Sequence, residues 1–215
     1  MKVINKSLSE QIVDIIKEKI INLELKPGQK INLDRLAKEY QTSRMPVRDA
    51  LNKLAEKKLV EANPRRGYFV VNLSEEQVVK ICDLRKLLEM FALKTSIFTI
   101  EKDEIENLLE ETEKAHHIYT ATRDRVSFDK TDKKLHWLIV SQCNNEYLDK
   151  MFAEIFDLVN VVRHLQHRIE DAFQEHLNLI EAMLKKDLNS SLDFLEYHLD
   201  KVKKSTRKAV KENFE

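Results

Sequence analysis

The sequence predicts a mainly α-helical protein with a small N-terminal domain that ends in a β-hairpin and a larger C-terminal bundle of helices. Three observations indicate this fold class. The 215 residues include only two glycines and three prolines, which leaves few positions for tight turns and favours long helices. A hairpin pattern over residues 59–71 is the main interruption of helical periodicity. From residue 75 onward, apolar residues recur at the spacing of amphipathic helices.

The N-terminal domain begins with two short helices. Ser7 and Glu10 have the spacing of a capping box, which predicts the start of the first helix. Pro27 and Gly28 are expected to end that helix. Asn32 is expected to cap the second helix, since its side chain can accept a hydrogen bond from the free N–H groups of the first turn.

The third helix and the hairpin combine exposed basic residues in a way that predicts a winged helix-turn-helix. Thr42 or Ser43 can cap this helix, and Arg44 and Arg48, four residues apart, share one of its faces. Such a helix can insert both arginines into a DNA major groove, while the hairpin turn, with two further arginines, reaches the backbone or the minor groove. The hairpin is expected to have strands at 59–62 and 68–71 and a turn at 63–67. The residues expected to contact DNA are Ser43, Arg44, Met45, Pro46, Arg48, Arg65, Arg66 and Gly67.

Charge is divided unevenly between the two halves of a neutral chain. Residues 1–73 contain 15 Lys and Arg against 9 Asp and Glu, a net charge of +6. Residues 74–215 contain 22 against 28, a net charge of −6. The basic half is therefore expected to face phosphate and the acidic half to face away from it.

Composition also bears on location. There is no run of 18 apolar residues, so no transmembrane helix is expected, and the first residues lack the apolar core of a signal peptide. Cys82 and Cys143 have neither metal-binding nor redox spacing. We therefore expect a cytoplasmic protein with two buried thiols.

The C-terminal domain is predicted to begin directly after the hairpin. Ser74 and Gln77 have the spacing of a second capping box, which places the domain boundary at residues 72–74. This division gives a DNA-binding domain at 1–73 and an all-helical domain at 74–215. The short linker predicts that the domains are coupled. Helices are expected at 75–98, 103–121, 125–143, 145–165, 168–185 and 189–212.

Four residues of the helical domain could form a buried metal site. Asp132 and His136 are four apart on one predicted helix, and His176 and His198 lie among apolar residues on two later helices. Three imidazoles and a carboxylate that converge in a bundle would bind Zn, Ni, Co, Fe or Mn. The residues alone also allow these histidines to be hydrogen-bonded or exposed. Asp129 is a second candidate carboxylate on the same face.

The N-terminal pattern resembles the DNA-binding domain of the GntR family of bacterial transcription regulators. The matching segments are residues 25–28 (LKPG), 43–51 (SRMPVRDAL), 59–60 (LV) and 66–70 (RGYFV). The resemblance implies a winged helix-turn-helix that binds DNA. One recognition helix reads only a few base pairs, so we expect a homodimer that reads a palindromic operator.

The C-terminal pattern resembles the FCD effector domain that follows the DNA-binding domain in one GntR subfamily. The matching residues are Asp132, Leu135, His136, Asn144, Asn145, Leu148, Glu175, His176, Ile180, Ala182, Asp187, His198 and Leu199. The resemblance implies that the aspartate and the three histidines bind a divalent metal. Arg85 and Glu89 match the subfamily's first effector-domain helix, where Arg85 either pairs with Glu89 or holds the carboxylate of an effector. Arg163 is a weaker effector candidate.

Three functions of different classes are compatible with these patterns. We expect a transcription repressor, not an enzyme, that is controlled by a small organic acid bound beside the metal. The alternative is a metal-dependent hydrolase with an accessory DNA-binding domain, since three histidines and an aspartate could activate water. A third interpretation is an architectural DNA-binding protein without an effector, which the acidic bundle with a polar interior disfavours.

Overall fold

The computed structural model describes residues 6–163 and 168–214 and confirms a mainly α-helical fold. The described N-terminal part contains α1 (Leu8–Ile21), β1 (Lys30–Ile31), α2 (Leu33–Glu39), α3 (Arg44–Glu56), β2 (Val60–Asn63) and β3 (Gly67–Val70). The described C-terminal part contains α4 (Glu75–Ser96), α5 (Lys102–Thr122), α6 (Val126–Ser141), α7 (Glu146–Arg163), α8 (Ile169–Leu184) and α9 (Leu188–Phe214). All six helices predicted for this part are present, and their ends differ from the predicted ones by a few residues.

The first helix starts as predicted and ends earlier than predicted. The Ser7 hydroxyl accepts a hydrogen bond from the Glu10 N–H, and the Glu10 carboxylate accepts one from the Ser7 N–H, so the capping box is confirmed. The predicted end at Pro27 and Gly28 is wrong, because α1 already ends at Ile21. Leu23 takes a left-handed φ of 60°, a conformation through which an α-helix cannot continue.

The next two helices begin in different ways. The Asn32 side chain accepts a hydrogen bond of 2.9 Å from the Arg35 N–H at the start of α2, as predicted. Ser43 is the N-cap residue of α3, but its side chain makes no capping hydrogen bond. The start of α3 is therefore set by backbone conformation and by Pro46 in its first turn, not by a side-chain cap.

The predicted hairpin is part of a three-stranded antiparallel sheet with the strand order β1-β3-β2. β2 and β3 pair from Val60 with Val70 to Asn63 with Gly67. β1 was not predicted, since a strand of two residues shows no alternation of polar and apolar positions. It adds to the free edge of β3.

The hairpin turn contains two residues in the left-handed region. Arg65 has a φ of 64° and Gly67 a φ of 100°, and the Arg66 N–H donates to the Asn63 carbonyl at 3.1 Å. Gly67 adopts its conformation without steric cost, as the sequence predicted. Arg65 does so at a cost, because a β-carbon crowds the following carbonyl in that region.

The two parts of the chain share an apolar core. Ile12 of α1 belongs to the same buried cluster as Ile155 and Val159 of α7. An ion pair between Lys17 and Asp157, with an N–O distance of 2.6 Å, joins the same helices at the surface. Burial across this junction supports coupled rather than loosely tethered domains.

α4 organises the C-terminal bundle. It begins with the predicted capping box, in which the Ser74 hydroxyl accepts from the Gln77 N–H, and it packs against α6, α7 and α9. Its buried face includes two charged residues, Arg85 and Glu89, which lie in the interior among the histidines described below. None of the helices in the described ranges combines the length and apolarity needed to cross a membrane.

Candidate metal centre and DNA-binding face

The start of α3 and the sheet form one concave surface. Arg44, Met45 and Arg48 line it from α3, and Gly67 and Tyr68 line it from β3. The opposite face of α3 is fully buried and holds the helix in place through Val47, Ala50, Leu51 and Leu54. The structure thus brings together four residues predicted to contact DNA. Ser43 is exposed and Pro46 half-buried at the start of α3, and neither lines this surface.

Two polar contacts in this region were not predicted. Asp34 of α2 forms an ion pair with Arg44, and the Tyr68 hydroxyl donates a hydrogen bond of 2.7 Å to Asn52. Both join residues on different elements, ten and sixteen positions apart, so the spacing within a single helix or strand does not indicate them. The contact between Tyr68 and Asn52 ties the wing to α3.

The wing tip presents the other predicted arginines. Arg65 and Arg66 are exposed and lie outside the lining of the concave surface. The Arg66 guanidinium lies over the Phe69 ring at 5.7 Å, which supports its extended side chain.

The aspartate and the three histidines converge inside the bundle, on three helices. Asp132 and His136 come from α6, His176 from α8 and His198 from α9. One ligand atom of each lies within 4.8 Å of the other three, and all four residues are buried. The Asp132 Oδ1 atom lies 3.8 Å from His136 Nε2 and 3.7 Å from His176 Nε2. The His176 and His198 Nε2 atoms lie 3.3 Å apart.

Asp132, not Asp129, provides the carboxylate of this cluster. Asp129 instead pairs with Arg125 at 3.2 Å near the surface. One turn of α6 separates the two aspartates, and only the position of Asp132 faces the histidines.

Two further carboxylates hold the histidine rings. Glu89 lies 2.5 Å from His136 Nδ1, and Glu175 lies 2.7 Å from His198 Nδ1. A carboxylate accepts hydrogen bonds, so each Nδ1 carries the proton and each Nε2 directs its lone pair to the centre of the cluster. The sequence indicated only a pairing of Glu89 with Arg85, and it indicated no role for Glu175.

The electrostatic surroundings of the cluster favour a neutral His198. Burial opposes ionisation of Glu89, but Arg85 and His136 outweigh it and hold the pKa of this carboxyl at about 2. Burial, together with the neighbouring His136 and Arg85, lowers the pKa of His198 well below its usual value. A neutral imidazole is the form that binds a metal ion.

The chemistry of this cluster fits a divalent cation with nitrogen and oxygen ligands. His136 Nε2 is buried and has no hydrogen-bond partner among the described residues. Leaving a buried polar atom without a partner costs free energy, and a metal ion at the centre would remove that cost. The fixed Nδ1 protons of His136 and His198 mean that both Nε2 atoms are available as ligands.

Arg85 lies beside the cluster, and two of its nitrogen atoms differ in their contacts. Its Nε atom donates to Glu89 at 2.6 Å, which is the pairing that the sequence allowed as an alternative to effector binding. Its Nη2 atom is buried without a hydrogen-bond partner among the described residues. The guanidinium also lies over the Phe156 ring at 5.3 Å.

Two arginines that the sequence analysis missed border the cluster. Arg125 and Arg168 line a small cavity of about 20 Å³ together with Asp132 and His198. Arg168 also pairs with Glu175. The side chain of Arg163 lies outside the described residues.

The remaining histidines are separate from the cluster. His116 pairs with Glu170 at 2.6 Å and stacks on Phe173, and His117 is exposed. His164 and His167 lie outside the described residues.

The geometry defines a class of protein: a winged helix-turn-helix joined to a helical domain with a buried site of three histidines and one aspartate. Residues 8–70 match the family model described as bacterial regulatory proteins, gntR family, and residues 80–201 match that of the FCD domain. The chain therefore belongs to the GntR family and carries an FCD domain. It is a DNA-binding transcription regulator and not an enzyme.

Similar proteins agree with this assignment. The HTH-type transcriptional regulator YdhC of Bacillus subtilis (strain 168) is 30% identical over 88% of this chain and 87% of its own length. The HTH-type transcriptional repressor GlaR of Escherichia coli (strain K12) is 25% identical over 86% of this chain and 89% of its own length.

Solved structures are similar over the whole chain or over the helical domain. E. coli McbR/YncC has a TM-score of 0.80 at 20% identity and covers 92% of this chain and 95% of its own, which shows the fold. The Zn²⁺-bound FCD domain of TM0439 has a TM-score of 0.54 at 28% identity and covers 63% of this chain and 95% of its own.

Proposed function

We propose that this regulator is a dimeric repressor whose DNA binding is controlled by a small organic acid bound beside a metal ion in the helical domain. In this proposal residues 1–73 read DNA and residues 74–215 bind the metal and the effector. The observation that carries the proposal is the buried cluster of one aspartate and three histidines, in which His136 Nε2 has no hydrogen-bond partner among the described residues. The relative GlaR, named as a repressor, supports the direction of control.

Two half-sites of a palindromic operator would each meet one concave surface. Arg44 and Arg48 lie in the first turns of α3, the part of a recognition helix that meets base edges. Ser43, Met45 and Pro46 surround them. One such surface reads few base pairs, so two copies are needed for specific binding in a genome.

Replacing Arg48 by Ala is expected to weaken binding to the operator by about 1–3 kcal/mol and binding to random DNA by much less, because alanine cannot donate hydrogen bonds to a base edge. Both affinities are measured by fluorescence anisotropy. Lys53→Ala is the matched control, since Lys53 lies on the same helix but contacts Ser9 of α1. If Arg48→Ala weakened binding to both DNAs equally, Arg48 would be a phosphate-binding residue.

The wing arginines are proposed to contact phosphate or the minor groove. Arg65 has a left-handed backbone in the turn, and its side chain is exposed at the wing tip. Its neighbour Arg66 is exposed on the same tip, and Gly67 completes the turn.

Removing both wing arginines by Arg65→Ala and Arg66→Ala is expected to flatten the salt dependence of DNA binding. The slope of log K against log salt should fall by about 0.9 for each phosphate that the variant no longer neutralises. Titrations at several salt concentrations measure it, with Lys114→Ala on α5 as the control. An unchanged slope in the double variant would contradict a phosphate role.

Asp132, His136, His176 and His198 are proposed to hold the metal ion. The set of one oxygen and three nitrogen ligands suits Zn, Ni, Mn, Fe or Co. Zn²⁺ is the first candidate, since the FCD domain of TM0439 has been solved with it. When bound, such a metal supplies a Lewis-acidic centre for an anionic ligand.

The arginines around the cluster are proposed to bind the effector's carboxylate. Arg85 offers its Nη2 atom, which has no hydrogen-bond partner within the described part of the chain, and Arg125 and Arg168 line the cavity beside Asp132. Arg163 remains a candidate from the sequence. A cavity of about 20 Å³ holds roughly one water molecule, which is too little for an organic acid.

Effector binding therefore requires the helices around the cavity to move. The cavity is lined by α6, α8 and α9, and α4 reaches the same cluster through Arg85 and Glu89. Because α4 begins at Glu75, a few residues after the wing, its displacement would turn the DNA-binding domain. The direct test is whether an organic acid changes DNA affinity only while the cluster is intact.

A further inference from the structure

A crevice of about 660 Å³ lies between the wing and α4. The end of α3 and strand β2 line it on the side of the DNA-binding domain, and α4 lines it on the side of the helical domain. Its volume is within the range of about 300–1,000 Å³ that is usual for small-molecule sites, many of which lie between domains. The cavity at the buried cluster, by contrast, has a volume of about 20 Å³.

Much of the crevice lining is apolar. Four of its residues are buried and belong to the core that the two domains share: Val60, Val71, Leu73 and Leu158. Ile81 of α4 also lines the crevice and is only partly buried against this core. A ligand that covers these side chains removes apolar surface from water, which is favourable in proportion to the area covered. The crevice therefore suits a ligand with an apolar body.

Two lysines, one from each domain, give the crevice a positive charge. Lys58 comes from the turn between α3 and β2, and Lys80 comes from α4. Lys58 forms no ion pair with a described residue. Lys80 pairs with Glu76, but both side chains are more than 70% exposed, and such a pair contributes little to stability. Lys80 can therefore exchange this partner for an anionic ligand. Glu61 also lines the crevice, so two lysines there face one carboxylate.

The main chain of β2 provides a further hydrogen-bond donor. The strand order β1-β3-β2 leaves one edge of β2 free. Val70, the partner of Val60 in β3, directs its hydrogen bonds the other way: its N–H donates to the Gln29 carbonyl at 2.9 Å, and its carbonyl accepts from the Gly28 N–H at 3.1 Å. Because facing residues of an antiparallel pair either exchange both bonds or neither, the N–H and carbonyl of Val60 point to the free edge.

We propose that this crevice is a second ligand site, which binds a small carboxylate with an apolar body, either aromatic or medium-chain aliphatic. The carboxylate lies between Lys58 and Lys80, and the apolar body covers Leu73, Ile81 and Leu158. The site is separate from the buried cluster. It depends neither on the metal ion nor on the organic acid of the proposed function.

A ligand in this crevice is linked to DNA binding. It contacts the turn before β2 and the second turn of α4 at once, so it favours the one relative placement of the two domains in which both walls reach it. Saturation of the site should therefore change the Kd for operator DNA by about fivefold or more. The change should persist in His176→Ala, since that variant leaves the crevice intact.

The test of the site is isothermal titration calorimetry on the full-length protein. The probes are 2-naphthoate and decanoate, which separate aromatic from aliphatic ligands, and the neutral 2-naphthalenemethanol. At least one of the two acids should bind with a Kd below about 1 mM, as expected for a ligand of this size. The alcohol should bind at least about tenfold more weakly than 2-naphthoate, since it lacks the charge that the lysines attract. Equal affinity for the alcohol and for 2-naphthoate would contradict an anion site.

Two variants locate the binding in the crevice. Lys58→Gly removes a charge without backbone strain, because Lys58 has a φ of 60°, which glycine adopts easily. Combined with Lys80→Gln, it should raise the Kd of the bound acid at least about tenfold. Ala62→Trp should prevent binding, since an indole ring on β2 fills the space. The matched control is Lys114→Gln, because Lys114, like Lys80, pairs with a glutamate one turn earlier on an exposed helix face. It should keep the wild-type affinity.

The outcomes are distinct from those for the proposed function, because the titration contains no DNA. His176→Ala should bind the acid as tightly as the wild-type protein, and a loss of binding there would place the ligand at the buried cluster and overturn the crevice site. Failure of both acids to bind the wild-type protein would overturn it as well. So would unchanged affinity in the double lysine variant and in Ala62→Trp. If Ala62→Trp does not fold, the result for Lys58→Gly with Lys80→Gln decides.

Discussion

Adding Zn²⁺ to metal-free protein is expected to raise the Tm by about 5–10 °C, and the rise should be absent in His176→Ala. A ligand at a hundred times its Kd stabilises the folded state by about 2.7 kcal/mol. For a chain of this size, each kcal/mol corresponds to about 2–4 °C. His176 contributes a buried nitrogen to the cluster, and without it one ligand of four is missing.

The control for this prediction is His117→Ala, which removes an exposed histidine that is not part of the cluster. It should keep the full rise in Tm, as measured by differential scanning calorimetry after treatment with a chelator and reloading. The same rise in His176→Ala and in the wild-type protein would place the metal elsewhere on the chain. No rise in any of them would remove Zn²⁺ from the proposed metals.

Arg85→Ala is expected to lower the free energy of unfolding by about 3–5 kcal/mol, because it leaves the Glu89 carboxylate buried without its cationic partner. Both side chains are at most 2% exposed, and their contact is 2.6 Å long. The pKa of about 2 for Glu89 means that this carboxyl is charged in the folded protein at neutral pH. Urea unfolding of metal-free protein measures the destabilisation.

The double variant Arg85→Met with Glu89→Gln separates the effect of the unpaired charge from that of packing. It removes both charges while keeping much of the volume and an acceptor for His136. It should be clearly more stable than Arg85→Ala, since replacing both partners of a buried pair costs less than removing one. If the double variant is as unstable as Arg85→Ala, packing and not charge accounts for the destabilisation.

The sequence predicted those parts of the fold that local patterns determine. Ser7, Asn32 and Ser74 act as helix caps as expected, because the donors they satisfy lie within three residues of each cap. β1 was missed because two residues that pair with Phe69 and Tyr68 have no period of their own. The first helix was predicted too long, since the left-handed turn at Leu23 has no glycine to indicate it.

In the candidate site too, local sequence patterns indicated some residues, while others are recognisable only from the folded structure. The four cluster residues were found through helical spacing and family resemblance, and the structure brings them together. The carboxylates that orient the rings could not be found, because Glu89 and Glu175 reach histidines on other helices. Arg168 was missed for the same reason: its neighbour in the cavity wall, His198, lies on the next helix.

The central claim is that the buried cluster controls DNA binding, and the most direct measurement is the DNA affinity of metal-loaded protein with and without small organic acids. The probes are acetate, lactate, succinate and citrate, added to wild-type protein and to His176→Ala. We predict that at least one acid changes the wild-type Kd for operator DNA by about 5–150-fold, a coupling of about 1–3 kcal/mol, and that DNA changes the affinity for that acid by the same factor. His176→Ala should bind DNA without responding. An equal response in both proteins, or no response of the wild-type protein to any of the acids, would contradict the account.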